Sequence, residues 1–276
     1  MQNINISLEF FPPRIDTGLD KLLSEFDKLK ALDPEYVSIT FGAGGSTQSG
    51  TLEAVKRFSA QGAKVAPHIT CIGTSKEYVR EVMASYMEHG VSRVVALRGD
   101  YPSGMQNKGD FAYASELVRF LRAEFGSELI IEVAAYPEFH PESHSPQKDL
   151  QHFKEKIDAG ANAAITQYFF NADSYFAFMD DINRLGVSVP VVPGIMPIDN
   201  IKGLKKFSAA CGAELPRWVL LRLEQYQDDP ASLQSFGVDV VSHLCLDLIE
   251  NGVDALHFYT LNKAPLVQRI VQNISS

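Results

Sequence analysis

Polar and charged side chains stand in this sequence where a buried strand should be apolar. Glu9 sits between Leu8 and Phe10, and Ser38 and Thr40 alternate with Val37, Ile39 and Phe41. His68 and Thr70 lie in the next apolar run, and Arg98-Gly99-Asp100 closes the one after it. Glu132 and Tyr136 share a later run, Gln167 interrupts another, and His257 and Tyr259 mark the last. Strands buried on both faces read as nearly continuous apolar stretches, so each polar residue there must be offset by a partner or used by a function. An acid, two imidazoles, a guanidinium beside a carboxylate and an amide suit proton transfer and the recognition of a polar ligand. Each also has a packing role open to it. Glu9 could pair with Arg98 or Lys263, Arg98 and Asp100 could bridge locally, and His68 could be a satisfied core histidine. His257, beside an aromatic run, reads as structural, and so does Glu132, deeper along its strand. By the two-residue period of a strand, Ser7 shares a face with Glu9, Ser38 with Thr40, and His68 with Thr70.

Several familiar devices fail here. Gly42-Ala43-Gly44-Gly45-Ser46-Thr47 follows a strand, but Thr47 stands where a dinucleotide fingerprint needs its third glycine, and no acid follows about 20 residues on. That segment reads instead as a flexible active-site loop. Neither a P-loop nor a GxSxG elbow is present. His140 and His144 have metal-like spacing, but the prolines around them argue against a helix, so no metal site is expected. No strand carries a lysine near its C-terminal end, which disfavours Schiff-base chemistry.

The elements that must position these residues recur regularly. β-rich runs occupy Ile4–Phe11, Tyr36–Gly42, Lys64–Cys71, Arg93–Gly99, Leu129–Tyr136, Ala163–Phe169, Val189–Met196 and Ala255–Leu261, eight in all. Most are spaced like βα units. Leu19, Leu22, Leu23, Phe26 and Leu29 mark one face of a helix after Thr17. Thr74 and Glu77 read as a capping box. Gly62, Gly90, Gly160, Gly186 and Gly252 each stand where a helix should stop before a strand. Alternating strands and helices make a parallel sheet, and eight of them suggest an α/β fold, a (β/α)8 TIM barrel with extra helices between strands 7 and 8, including the segment Trp218–Tyr226. Active sites of such barrels open at the C-terminal ends of the strands, where most of the polar residues above lie. A single domain is expected over residues 1–276.

Composition narrows the function. Of 276 residues 45% are hydrophobic, and Lys+Arg number 25 against 34 Asp+Glu, a net charge of −9. A chain this apolar can fold, and the acidic surplus without a basic run disfavours nucleic acid as a partner. No apolar run reaches the length of a membrane span, and the N-terminus does not read as a signal peptide. Three widely spaced cysteines, Cys71, Cys211 and Cys245, fit neither a disulfide framework nor a zinc site, and point to a reducing cytoplasm.

The strand-end segments resemble the methylenetetrahydrofolate reductase family. The resemblance rests on Leu8-Glu9-Phe10-Phe11-Pro12-Pro13-Arg14, Thr40-Phe41-Gly42-Ala43-Gly44, Pro67-His68-Ile69-Thr70-Cys71 and Ala96-Leu97-Arg98-Gly99-Asp100. It continues through Ala134-Ala135-Tyr136-Pro137-Glu138, His140-Pro141-Glu142, Ile165-Thr166-Gln167, Pro193-Gly194-Ile195-Met196-Pro197 and His257-Phe258-Tyr259-Thr260-Leu261-Asn262. These motifs span nearly the whole chain in order, and the length resembles the bacterial form that consists of the catalytic domain alone.

The resemblance implies a barrel that binds FAD without a Rossmann motif. NADH or NADPH would reduce the flavin, which then passes hydride to 5,10-methylenetetrahydrofolate in ping-pong fashion, supplying methyl groups to methionine synthesis. It makes Glu9 the general acid that protonates N10, its pKa raised beside Phe10 and Phe11, and Asp100 a stabiliser of the cation at N5. Thr40, Phe41, Ala43, His68, Arg98, Gly99, Asp100, Ala114, Tyr136, His140, Asp149, His152 and Lys156 match flavin-contacting positions, with Arg98 and Lys156 suited to its oxygens. Gln167 matches a residue that contacts folate and nicotinamide; Leu221, Leu223 and Lys263 fall at substrate-binding positions. Lys263 stands where arginine is frequent and so lacks a bidentate fork. Leu221 and Leu223 stand where some relatives carry Gln and Phe, and Arg222 is new between them. A homo-oligomer is implied as well.

Overall fold

Each strand of the sequence meets its successor edge to edge, and the series curls round until its ends rejoin. In the computed structural model, which describes residues 4–13, 17–41, 45–99 and 109–276, the strands are β1 (Asn5–Phe10), β2 (Tyr36–Ile39), β3 (Val65–Thr70), β4 (Arg93–Leu97), β5 (Ile130–Ala135), β6 (Ala163–Thr166), β7 (Val191–Val192), β8 (Gly194–Ile195) and β9 (Ala255–Tyr259). All pair in parallel, in the order β7-β6-β5-β4-β3-β2-β1-β9-β8. The helices are α1 (Thr17–Leu29), α2 (Gly45–Ala60), α3 (Lys76–Met87), α4 (Ala114–Phe125), α5 (Pro146–Asp158), α6 (Ala172–Arg184), α7 (Ile201–Cys211), α8 (Arg217–Gln225), α9 (Pro230–Glu250) and α10 (Ala264–Ile274). This is the expected α/β barrel, and the excursion before the last strand supplies α7, α8 and α9.

The seventh expected strand is two. Pro193 has no N–H to donate and divides the run into β7, which pairs with β6, and β8, which pairs with β9. The Pro193 carbonyl still accepts the His257 N–H at 2.9 Å. One extended segment thereby joins both edges of the sheet and closes the ring. Gly194 is required at this seam: a Cβ there would lie 2.1 Å from the Thr166 carbonyl oxygen and 2.6 Å from the Tyr259 ring.

The outward residues of the strands are apolar and carry the helices. Leu8, Phe10, Ile39, Val94, Ile131, Val133, Leu256 and Phe258 belong to one cluster of buried residues with the helix faces. Leu19, Leu22, Leu23, Phe26 and Leu29 of α1 are buried as their spacing implied. Phe58 of α2 sits between Phe10 and Phe26, with ring centroids 5.4 and 4.8 Å away. The five glycines at helix ends all have positive φ, from 76° to 115°. The cap of α3 differs from expectation: the Ser75 hydroxyl, not Thr74, accepts the Tyr78 N–H. The Thr74 hydroxyl instead donates to the Cys71 carbonyl at 2.8 Å, tying the loop to the strand end before the helix begins. Among the described residues, no helix is long and apolar enough to cross a membrane.

Candidate active site

Many inward residues are polar, with Val95, level with His68 and Glu132, and Ala163, level with Glu132, among the exceptions, which is unlike the aliphatic layers that usually fill such barrels. The register of β1 sets Ser7 level with Tyr36 on one side and His257 on the other, and Glu9 level with Ser38 and Tyr259. Two tiers result. The upper one, towards the mouth, centres on Glu9. Its Oε2 lies 3.2 Å from His68 Nε2 and 3.6 Å from His257 Nε2, and accepts the Ser38 hydroxyl at 3.4 Å. The Glu9 side chain keeps 16% of its surface open, while that of His257 has none. Glu9 is thus the member of the cluster that a ligand at the mouth can reach.

The electrostatics of Glu9 run opposite to the expected raised pKa. Burial does push it up, but His68 and His257 together outweigh burial and hold the carboxyl down to about 2. Neither alternative partner of Glu9 is used. Arg98 pairs with Glu142, and Lys263 pairs with Asp199 at 2.7 Å. His257, expected to be structural, is a direct neighbour of the acid. The signal lay in parity: His257 and Tyr259 occupy one face of β9, as Ser7 and Glu9 do of β1.

A second group gathers beyond the ends of β4 and β5, over the start of α5. His140 donates its backbone N–H to Asp149 Oδ2 at 3.0 Å, and its ring packs edge-on against Tyr136 with centroids 4.6 Å apart. The His140 Nδ1 accepts the Glu142 N–H at 3.1 Å, and burial together with Arg98 lowers the pKa of the ring. Lys156 reaches in from α5 to donate to the Ala134 carbonyl at 2.5 Å. Its ammonium has Asp149 near enough to attract it, yet burial lowers its pKa to about 8. Among the described residues no carboxylate pairs with it, and a cation so desolvated is a place for an anion from elsewhere. Gly99, with φ +82°, passes so close to Thr70 that a Cβ would lie 3.0 Å from the Thr70 Cβ. Glycine is required here by the positive φ and by the closeness of the Thr70 side chain. Lys156 and Arg98, both near enough to His140 to act on its charge, fit a flavin dinucleotide, whose pyrophosphate is anionic. Ala114 opens α4 next to Tyr113, whose ring stacks on His152 at 6.2 Å.

These observations decide the lineage when set beside known proteins. The family model for methylenetetrahydrofolate reductase matches residues 1–275. The chain belongs to that family. Methylenetetrahydrofolate reductases are oxidoreductases, and the chain is an enzyme of that class. It is 42% identical to the 5,10-methylenetetrahydrofolate reductase of Pectobacterium carotovorum subsp. carotovorum, over 98% of this chain and 90% of that one. With the 5,10-methylenetetrahydrofolate reductase of Escherichia coli (strain K12) the identity is 38% over the same shares. A probable methylenetetrahydrofolate reductase (NADH) of Oryza sativa subsp. japonica is 36% identical over 97% of this chain and 48% of its own. A solved structure of an uncharacterized protein from Clostridium thermocellum, which binds two copies of 5-methyl-5,6,7,8-tetrahydrofolic acid, shares the fold with a TM-score of 0.69. At 15% identity over 99% of this chain and 95% of that one, the likeness is one of fold.

The methylenetetrahydrofolate reductase fold does not gather every expected residue. Thr40 and Phe41 follow β2 at the mouth, where the Thr40 N–H donates to Phe10 O at 2.9 Å and the Thr40 carbonyl accepts the Thr51 hydroxyl. Gln167 leaves β6 with its Oε1 taking the Tyr168 N–H at 3.0 Å. Leu221 is exposed on α8, but Leu223 has no exposed surface; it faces the core, and the expected substrate contact is withdrawn for that side chain. The turn that holds His140 and His144 is not helical, since α5 begins only at Pro146. Asp100 and residues 42–44, Ala43 among them, lie outside the described residues, and Gly45-Ser46-Thr47, expected in a flexible loop, open α2 instead. Asn262 escaped sequence reasoning. Its side chain accepts the Phe11 N–H at 3.0 Å and donates to the Phe11 carbonyl at 2.8 Å, pinning the end of β1 beside Glu9.

Proposed function

We propose that the enzyme reduces 5,10-methylenetetrahydrofolate to 5-methyltetrahydrofolate with NADH or NADPH, by ping-pong transfer through bound FAD. The observation that carries this reading is Glu9 at the mouth of the barrel, with two imidazole nitrogens on one of its carboxylate oxygens. Arg98, Lys156, His140 and Tyr136 would hold the flavin beyond β4 and β5, with Gly99, His68, Thr40, Phe41, Ala114, Asp149 and His152 around it. When bound, FAD supplies two-electron storage, taking hydride from the nicotinamide and giving it to the folate.

The residues of the chain do the proton work. Opening the five-membered ring of the substrate needs a proton on N10, breaks the N10–methylene bond and leaves an iminium at N5. Glu9 is the group placed to give that proton, and each turnover then takes one proton back from water. Because His68 and His257 hold its carboxyl low, Glu9 would relay a proton rather than store one. Asp100 would balance the iminium charge, a role that rests on the family motif alone. Gln167 offers a donor pair and an acceptor to pterin or nicotinamide. On the same reading the enzyme works in the cytoplasm as a homo-oligomer and feeds methionine synthesis.

The test is spectroscopic. Purified protein with FAD should be bleached by NADH without air and regain colour with methylenetetrahydrofolate. Glu9→Gln should still bleach, but recover colour at least about a hundredfold more slowly. Protein that takes up no flavin would overturn the cofactor, and normal recovery in the variant would overturn the acid.

A further inference from the structure

Behind Glu9 the polar interior continues away from the mouth along one line. The His257 Nδ1 is 2.7 Å from the Ser7 hydroxyl, and Ser7 stands level with Tyr36 across the β1–β2 pairing. That phenol donates to Glu132 Oε1 at 3.1 Å, and the same oxygen takes an N–H of Arg93 at 2.8 Å. Arg93 ends the line beside Glu35, also at 2.8 Å, with its guanidinium over the Tyr36 ring at 4.3 Å. Among the described residues, the buried side-chain polar atoms without a hydrogen bond are His68 Nε2, His257 Nε2 and Glu132 Oε2. Two of them face Glu9 and the third is on this line.

We propose that Arg93, Glu132, Tyr36 and Ser7 form a hydrogen-bond chain of fixed polarity that sets the tautomer of His257 and keeps one proton between His257 and Glu9. The direction is set at the far end. Arginine can only donate, so Glu132 Oε1 accepts, both from Arg93 and from Tyr36. Tyr36 stays a phenol because burial and Glu132 raise its pKa well above the usual value. Having given its hydrogen to Glu132, its oxygen can only accept, and Ser7 supplies that hydrogen. The Ser7 oxygen then accepts from His257 Nδ1–H. The His257 Nε2 is left facing Glu9 Oε2 at 3.6 Å. The two atoms are not hydrogen-bonded at that distance, and a single proton, on one atom or the other, would relieve the repulsion of their facing lone pairs. That proton is mobile because the other imidazole nitrogen already carries its own. In the opposite tautomer the Nε2 hydrogen would be the only one on a neutral ring, which is not an acid near neutral pH.

Ser7 and Tyr36 are therefore positioning residues, acting on the substrate only through His257 and Glu9. The proposal rests on the proton-donor reading of Glu9, but its first test needs neither flavin nor folate. Nitrogen-15 NMR of the imidazoles, with His257 assigned through His257→Gln, distinguishes the tautomers. Wild-type protein should show hydrogen on Nδ1, alone or with Nε2, and Tyr36→Phe and Ser7→Ala should both show the neutral Nε2–H form. A neutral Nε2–H form in the wild type, or no change in either variant, would overturn the chain of polarity. The kinetic consequence is read separately: in Tyr36→Phe the folate half-reaction should slow roughly tenfold relative to the nicotinamide half-reaction. An unaltered ratio together with the expected tautomers would leave the chain standing and overturn its part in turnover.

Discussion

Lys156 shows how burial at a single residue becomes a dependence on pH. Its folded pKa is about 8 against an ordinary 10.5. Between those values the unfolded chain keeps a proton that the folded one has released, so stability rises with pH there. Below about pH 8 the full cost of the buried ammonium is present. Lys156→Met should remove that cost. Its stability relative to wild type should fall by up to about 3 kcal/mol between pH 7 and pH 10.5, as wild type recovers. Urea unfolding at the two pH values checks this, and a constant difference would contradict it. At this scale the sequence was informative where strand parity exposed a polar residue, as for Glu9 and His68. It was silent on how the carboxyl is charged, because Glu9 meets its two histidines only when β1 lies between strands from opposite ends of the chain.

The elements were legible because each depends on local spacing. The apolar face of α1 and the glycine stops needed no tertiary information. The split of the seventh strand was not legible, since a proline within an apolar run acquires its meaning only when strands on both sides compete for the same segment. Capping at α3 was misplaced by one residue for a similar reason: Thr74 and Ser75 are both competent caps, and the Cys71 carbonyl decided between them. Packing between elements concentrates in the Phe10–Phe58–Phe26 cluster, where all three rings are buried. Phe58→Ala should cost roughly 3–5 kcal/mol, measured by denaturant unfolding. Because Phe10 is the immediate neighbour of Glu9, the vacancy should also loosen the cluster that Glu9 makes with His68 and His257.

Over the whole molecule, the ring closes through pairs that are remote in sequence. Thr260 donates its hydroxyl to the Glu9 carbonyl at 2.6 Å, and Asn262 clasps Phe11, each across 251 positions. A chain ending at Gly252 would lack β9 and α10 and leave β1 with one edge unpaired. Such a truncation should lose cooperative thermal unfolding and expose apolar surface to a dye such as ANS; a sharp transition in the shortened chain would show that closure matters less than the register implies. The barrel itself could be anticipated from eight regularly spaced runs, but the polar column down its axis could not, because it draws on residues from Ser7 to His257.

The same closure dictates an order of events during synthesis. Domains form as the ribosome feeds them out, N-terminal parts first. Most of the residues proposed to hold the flavin emerge early, yet His257, Thr260 and Asn262 follow only after α7, α8 and α9. A nascent chain can therefore assemble much of the proposed cofactor site while Glu9 still lacks His257. The polar cluster around Glu9 is complete only when β9 slides in beside β1.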